Sequence, residues 1–183
     1  MVFRFLLLSD EVEGFKREIQ IDSDATFLDL HKEIIKSVGF KEGEMTSFFL
    51  CTDDWEKEQE ITLVEMDTSS DEDSYIMEDS VLNDFLEDER QKLMYVFDYM
   101  TERAFFMELR EIITGKHLDQ PVCTKSEGVP PPQFVDFDEE AVVGTTLDVG
   151  ESFYGDEGYD MDELDAEGFD GLGDAALPSD EEF

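Results

Sequence analysis

The chain has 183 residues, and its 50 acidic side chains against 13 basic ones give a formal net charge of −37. This charge opposes direct binding to the phosphates of nucleic acids and to anionic membranes. The apolar run near the N-terminus, residues 5–8, is too short for a signal peptide or a membrane span. Together with the wide separation of Cys51 and Cys123, these features predict a monomeric cytoplasmic protein with reduced thiols.

The first forty residues predict a β-hairpin followed by one helix. Residues 2–8 are mostly apolar and residues 15–21 alternate between apolar and polar, which is the pattern of two antiparallel strands joined by a polar turn. Asp24 or Thr26 can cap the helix through a side-chain oxygen, and Gly39 is a natural end for it. Apolar residues recur between them at helical spacing and predict a helix that packs on the sheet: Phe27, Leu30, Ile34 and Val38.

The middle of the chain predicts one strand and one short helix. Residues 45–51 are typical of a third strand, whereas the charged residues 55–63 suit a short strand or a turn. Residues 67–73 are polar and predict a solvated loop. Ser80 can cap a short helix whose apolar residues have the right spacing: Val81, Leu82, Phe85 and Leu86.

Residues 91–113 predict the central hairpin of the sheet. Apolar side chains alternate before and after a short polar stretch, which is the period of a strand. One face of this hairpin is expected to be almost wholly apolar: Leu93, Tyr95, Phe97, Tyr99, Phe105, Met107 and Leu109. Residues 115–132 have few periodic apolar residues and end in three prolines, which favour an extended chain.

A change of composition predicts a domain boundary near residue 135. Residues 1–135 would form an α+β domain, whereas residues 136–183 hold eighteen acidic residues and no basic one. Such a segment cannot bury enough apolar surface to offset its ordering entropy, so we expect a disordered acidic C-terminal tail. Aromatic residues are interspersed among the acids, as in the repeated Glu-Gly-Tyr/Phe-Asp motif, and this pattern is typical of a binding segment.

The last residues of the chain are similar to the acidic tip of bacterial single-stranded-DNA-binding proteins, which ends in a phenylalanine. In this chain Pro178 is displaced from the penultimate position. The tail residues expected to bind a partner are its aromatic residues and terminal acids: Phe153, Tyr154, Tyr159, Phe169, Phe183, Asp180, Glu181 and Glu182.

The order of motifs over residues 2–134 resembles the plasmid Orf-three-like family, also labelled insertion-element passenger or TnpR-like. The matching pieces are REIQI, TFLDLHKEIIKSVGF, MTSFFL, QKLMYVFDYMTERAFFMELREI and VPPPQF. The resemblance implies a mobile-element-associated α+β domain, with a mixed β-grasp-like sheet packed by one main helix, and no established activity. Where family members commonly have Gly-Asp-x-Trp, this chain has Tyr99-Met100-Thr101-Glu102. The resolvase activity that the TnpR label suggests is not expected, because Ser9 has only Arg4 and Arg17 nearby.

The sequence predicts no metal site and no cofactor. No Cys or His pair has zinc-ligand spacing, and His31 is expected to be a packing residue on the helix. Residues 156–167 have acids at three EF-hand positions, but Gly158 and Met161 stand where an oxygen ligand and a glycine are needed. Asp98 is expected to be a turn carboxylate satisfied by backbone amides.

These features favour a non-enzymatic protein-interaction module whose acidic tail engages a basic protein surface. Mimicry of a nucleic acid is one specific form of this hypothesis. The alternative is a ligand-binding protein or an enzyme with a pocket between the sheet and residues 55–79.

Overall fold

The computed structural model describes residues 1–65 and 74–135. Within these ranges the chain forms one α-helix and eight strands. Their bounds are β1 Val2–Leu8, β2 Lys16–Asp22, α1 Phe27–Val38, β3 Ser47–Cys51, β4 Lys57–Thr62, β5 Tyr75–Ile76, β6 Lys92–Asp98, β7 Arg103–Ile113 and β8 Val122–Glu127.

The eight strands form one sheet in the order β5-β4-β3-β6-β7-β1-β2-β8. All neighbours are antiparallel except β4 and β5, which are parallel, so the sheet is mixed. The β6–β7 hairpin lies at the centre of this order, as the sequence predicts. The α+β class, with one main helix on a mixed sheet, is thereby confirmed.

Helix α1 begins where its sequence provides a cap. The Thr26 side chain accepts a hydrogen bond from the Asp29 amide, and the Asp29 carboxylate accepts one from the Thr26 amide, which satisfies two free donors of the first turn. Gly39 ends the helix in the left-handed conformation with φ 71°. Thr26 is therefore the cap, whereas the Asp24 side chain accepts a hydrogen bond from the Asn83 amide group.

The apolar side of α1 covers one face of the sheet, and the main core lies between them. Phe105 of β7 lies at the centre of an aromatic cluster with ring centroids 4.8 to 6.3 Å away. Its neighbours are Phe15, Phe40, Tyr95 and Phe97. The opposite face of the sheet carries no helix among the residues that the structure describes; we call it the open face.

Three local predictions need correction. The short helix after Ser80 is a single 3-10 turn, Leu82–Asp84. Tyr99 does not join the core face, because a bulge between Val96 and Asp98 shifts the register; its hydroxyl instead donates to Glu60 at 2.9 Å. Strand β8 lies where a strand was not predicted, since it is a polar edge strand that pairs only with β2.

Several predictions concern residues outside the described ranges. These are the solvated loop 67–73, the EF-hand-like residues 156–167 and the whole acidic tail 136–183. Among the helices of residues 1–65 and 74–135, none has the length and apolar character needed to cross a membrane.

Candidate interaction surface

The partner-binding residues expected from the sequence all lie beyond residue 135, outside the part of the chain that the structure describes. They stay predictions: Phe153, Tyr154, Tyr159, Phe169, Asp180, Glu181, Glu182 and Phe183. The described residues contain a buried polar group, a clamp at the end of the domain, and an apolar row on the open face.

The buried polar group joins the helix to the sheet. His31 Nδ1 lies 2.8 Å from the Tyr95 hydroxyl and 3.3 Å from the Thr46 hydroxyl, and all three residues are buried. Burial raises the pKa of Tyr95 far above its ordinary value, so the hydroxyl stays protonated. His31 is a packing residue, as the sequence predicts, and its Nδ1 lies within hydrogen-bond distance of two buried hydroxyls.

Burial lowers the pKa of His31 to about 4, and the charge of Lys32 adds to this effect. In the unfolded chain the pKa should be near the ordinary value of about 6.5. Between these two values the unfolded chain binds a proton that the folded protein does not bind. We therefore expect the free energy of unfolding to fall as the pH drops from about 6.5 to 4, by up to about 3 kcal/mol.

Urea unfolding at a series of pH values measures this dependence. The matched control is His31→Gln, which keeps a polar partner for Tyr95 but does not titrate, so its unfolding free energy should fall less over the same window. Carboxylates such as Asp98 contribute mainly below this window. Equal pH dependence in both proteins would contradict the prediction.

Asp98 closes the turn between β6 and β7. Its carboxylate accepts hydrogen bonds from the Thr101 hydroxyl at 2.6 Å and from the amides of Met100 and Thr101. The Thr101 hydroxyl contributes most to lowering the pKa of Asp98, with further contributions from the amides and Arg103. The carboxylate therefore has the structural role that the sequence predicts.

Arg103 forms a clamp beside this turn. Its guanidinium donates to both oxygens of Glu11, at 2.8 and 2.7 Å, and to the carbonyl oxygens of Pro132 and Gln133. Gln133 in turn bonds the amide and the carbonyl of Lys41, directly after α1. These contacts hold Pro132 and Gln133 against the end of the domain.

An apolar row crosses the open face over four neighbouring strands. Phe49 of β3 pairs with Met94 of β6, Met94 with Phe106 of β7, and Phe106 with Leu8 of β1. The first three side chains are half-buried, and Leu8 is 43 % exposed. The open face of such a sheet normally carries polar residues, so a continuous apolar row indicates an interaction surface.

Trp55 lies at one side of this row, in the loop between β3 and β4. Its backbone has φ 68°, a left-handed conformation that is unfavourable for a bulky residue, and such strain often accompanies function. The indole ring packs edge-on against Phe106 at 5.0 Å, and the Lys92 ammonium lies 5.0 Å from the indole ring centre. The loop thus holds a large aromatic ring against the apolar row.

A cavity of about 320 Å³ opens on the other side of the row, towards the β6–β7 turn. Its rim carries Asp10, Glu102 and the Arg103 clamp, and its floor continues the row. The floor residues are Met94, Val96, Ala104 and Phe106. The alternative hypothesis places a pocket between the sheet and residues 55–79. Of these residues Lys57 lines the cavity, whereas residues 66–73 lie outside the described ranges.

The chain's two thiols are free, and burial raises the pKa of both Cys51 and Cys123. Neither is activated as a nucleophile by a neighbouring base. In residues 1–65 and 74–135, no three His, Cys, Asp or Glu side chains come together as a metal site would require.

The alternation in residues 91–113 leaves Phe106 off the predicted apolar face of the hairpin, so sequence reasoning did not identify the apolar row. The row consists of single apolar residues from four strands, at positions 8, 49, 94 and 106 of the chain. Only the strand register brings Phe49, Met94, Phe106 and Leu8 into line. The sequence does contain one indication of the row, since each of the four strands has an apolar residue on the face opposite the core.

Comparisons with known proteins found a solved structure of similar fold and a matching family model. No curated protein matches the chain. A crystal structure of a protein of unknown function from Methanosarcina mazei Go1 is similar, with a TM-score of 0.53 and 20 % sequence identity, and the match covers 68 % of each chain. At this identity the likeness concerns the fold alone.

A protein-family model described as plasmid pRiA4b ORF-3-like protein matches residues 5–138, which include the helix and every described strand except the first three residues of β1. This match confirms the resemblance found in the sequence motifs. The chain therefore belongs to the plasmid pRiA4b ORF-3-like protein family.

Proposed function

We propose that this protein is a non-enzymatic interaction module that engages a basic protein surface through the acidic residues 136–183. The observation that carries the proposal is the segregation of charge along the chain. All thirteen basic residues lie before residue 136, whereas the last 48 residues hold eighteen acids and no base. A segment of this kind steers a cationic partner over long range, and its aromatic residues supply short-range contacts.

The position of this segment supports the proposal. The Arg103 clamp holds the carbonyl oxygens of Pro132 and Gln133, and the acidic segment follows these residues in the sequence. A partner captured by the segment is therefore brought close to the domain surface, where a second contact gains from a high effective concentration. Mimicry of a nucleic acid, by carboxylates spaced along an extended chain, would direct the segment to the basic groove of a DNA- or RNA-binding protein.

We place this interaction in the cytoplasm. The two thiols are free, and neither Cys51 nor Cys123 is activated, which suits a reducing compartment. The net charge of −37 favours a monomer, because like-charged copies repel each other at low ionic strength.

Affinity capture from lysate, followed by identification and purification of the captured protein, tests the proposal. Three baits are compared: the full chain, the chain ending at residue 135, and a full chain whose tail acids are replaced by Asn and Gln. We expect a basic protein to bind only the full acidic chain. Its affinity should fall steeply between low and physiological salt, because the contact is largely electrostatic.

A fourth bait separates charge from specificity. It keeps all tail acids but carries alanine at the five aromatic partner-binding positions, and it should retain rapid association while dissociating faster. The five positions are Phe153, Tyr154, Tyr159, Phe169 and Phe183. Equal capture by the full chain and by the chain ending at residue 135 would refute the tail mechanism. Capture by neither would favour ligand binding in the cavity beside the β6–β7 turn.

A further inference from the structure

We propose that the open face is a second contact site for the same partner, and that it takes a basic segment carrying a bulky apolar side chain. The apolar side chain would lie on the row Phe49–Met94–Phe106–Leu8, and a Lys or Arg of the segment would reach the carboxylates at the cavity rim. This inference rests on the proposed function only because it assumes the same partner. The residues that form the surface all lie in the described ranges.

The apolar half of the site follows from the register of the sheet. The four side chains of the row are direct cross-strand neighbours, so they form a continuous strip with no polar interruption. Trp55 and the cavity floor widen this strip on its two sides. The strip ends at Leu8, which is 43 % exposed and pairs with Lys16 at the next strand. An apolar side chain from a partner would cover surface that no described element covers.

The charge of the occupant follows from the groups around the cavity. The donors of Arg103 are occupied by Glu11, Pro132 and Gln133, and its charge is balanced by Glu11. Asp10 and Glu102 are exposed, and within residues 1–65 and 74–135 neither belongs to an ion pair. Among the described residues the lining therefore offers two carboxylates outside any ion pair against one lysine, Lys57, whose ammonium is held on the Phe49 ring, and this balance favours a cationic group.

Two lysines lie close to aromatic rings in or beside the row, and one of them, Lys57, also lines the cavity. The Lys57 ammonium lies 4.5 Å from the ring centre of Phe49, and that of Lys92 lies on Trp55. Both are held on aromatic rings by cation–π attraction. Because both ammonium groups are held on rings, the carboxylates of Asp10 and Glu102 are the groups left to contact a partner's cation, so a bound basic segment is expected to place its cation at the turn.

Tryptophan fluorescence tests this site directly, because Trp55 is the only tryptophan of the chain and touches Phe106 in the row. The full-length protein is titrated with a short capped peptide in which lysine alternates with leucine. Two control peptides carry glutamate in place of lysine, or serine in place of leucine. We expect a saturable change of Trp55 emission with the lysine–leucine peptide alone.

Substitutions on the open face test which residues contact the peptide. Asp10→Asn combined with Glu102→Gln should weaken binding about fivefold, because two carboxylate contacts of modest strength are lost. Leu8→Ser should weaken it about threefold, and this exposed position is chosen because its substitution leaves the core intact. The control pair, Glu42→Gln with Glu44→Gln, removes equal charge from the exposed loop after α1 and should leave the affinity unchanged.

The outcomes distinguish this site from the acidic tail. A full-length protein that binds the peptide without a change of Trp55 emission would overturn the inference while leaving the proposed function standing. A change of emission that persists when the tail acids are replaced by amides would support the open face even if the tail mechanism fails. Equal weakening by the control pair would overturn the inference, because it would show a general charge effect.

Discussion

Phe105→Ala should lower the free energy of unfolding by about 3–5 kcal/mol, the largest effect that we expect from a single substitution. The ring is fully buried, and its centroid lies 4.8 Å from that of Phe97 and 5.1 Å from that of Phe15. Its removal leaves a cavity between helix and sheet, and the aromatic rings around it cannot all move into the space. Because domains are stable by only about 5–15 kcal/mol, much of the total is lost.

Urea unfolding followed by circular dichroism measures this loss. Phe106→Ala is the matched control, since it removes the same side chain from the next residue on the opposite face of the sheet. Phe106 is half-buried, so we expect a loss of about 1 kcal/mol. Similar losses for the two variants would contradict the placement of the core on the helix side alone.

Arg103→Met should lower the free energy of unfolding by about 2–3 kcal/mol. Its side chain is only 9 % exposed and forms four hydrogen bonds, two of them to the carboxylate of Glu11. Methionine preserves the aliphatic length, but it leaves the Pro132 and Gln133 carbonyls without their donor. The segment that follows β8 should then detach from the end of the domain.

Two measurements check this prediction. Arg110→Met, which removes a half-exposed arginine paired with Glu108, should change the stability by no more than about 0.5 kcal/mol. Hydrogen exchange at the Lys41 amide, which donates to the Gln133 side chain at 2.7 Å, should accelerate in Arg103→Met alone. An unchanged exchange rate would mean that Gln133 holds its position without the clamp.

Sequence patterns predicted correctly those strands and helices that are specified by a few consecutive residues. The hairpin of β1 and β2, the helix capped by Thr26 and the central hairpin of β6 and β7 each follow from alternation, helical spacing or capping chemistry. The likeness of the motifs to the plasmid Orf-three-like family also follows from such local patterns, and the family match confirms it.

The predictions failed where the local signal was weak or ambiguous. Strand β8, with the sequence VCTKSE, has little apolar alternation because it is an edge strand with few buried side chains. The residues after Ser80 have helical spacing, but their backbone forms only one 3-10 turn before the chain turns into β6. Tyr99 fits the alternation of β6, but a bulge removes it from the core face.

The sequence by itself determined the charge of the chain, its family and the composition of the acidic segment, since these need no knowledge of distant contacts. The tertiary structure alone decided the apolar row of the open face, the packing of Trp55 on Phe106 and the four hydrogen bonds of Arg103. Each of these depends on residues far apart in the chain, from Leu8 to Gln133, and strand register sets their relative positions. Register is a property of the whole sheet, because every strand must match both neighbours at once while its apolar residues reach the core.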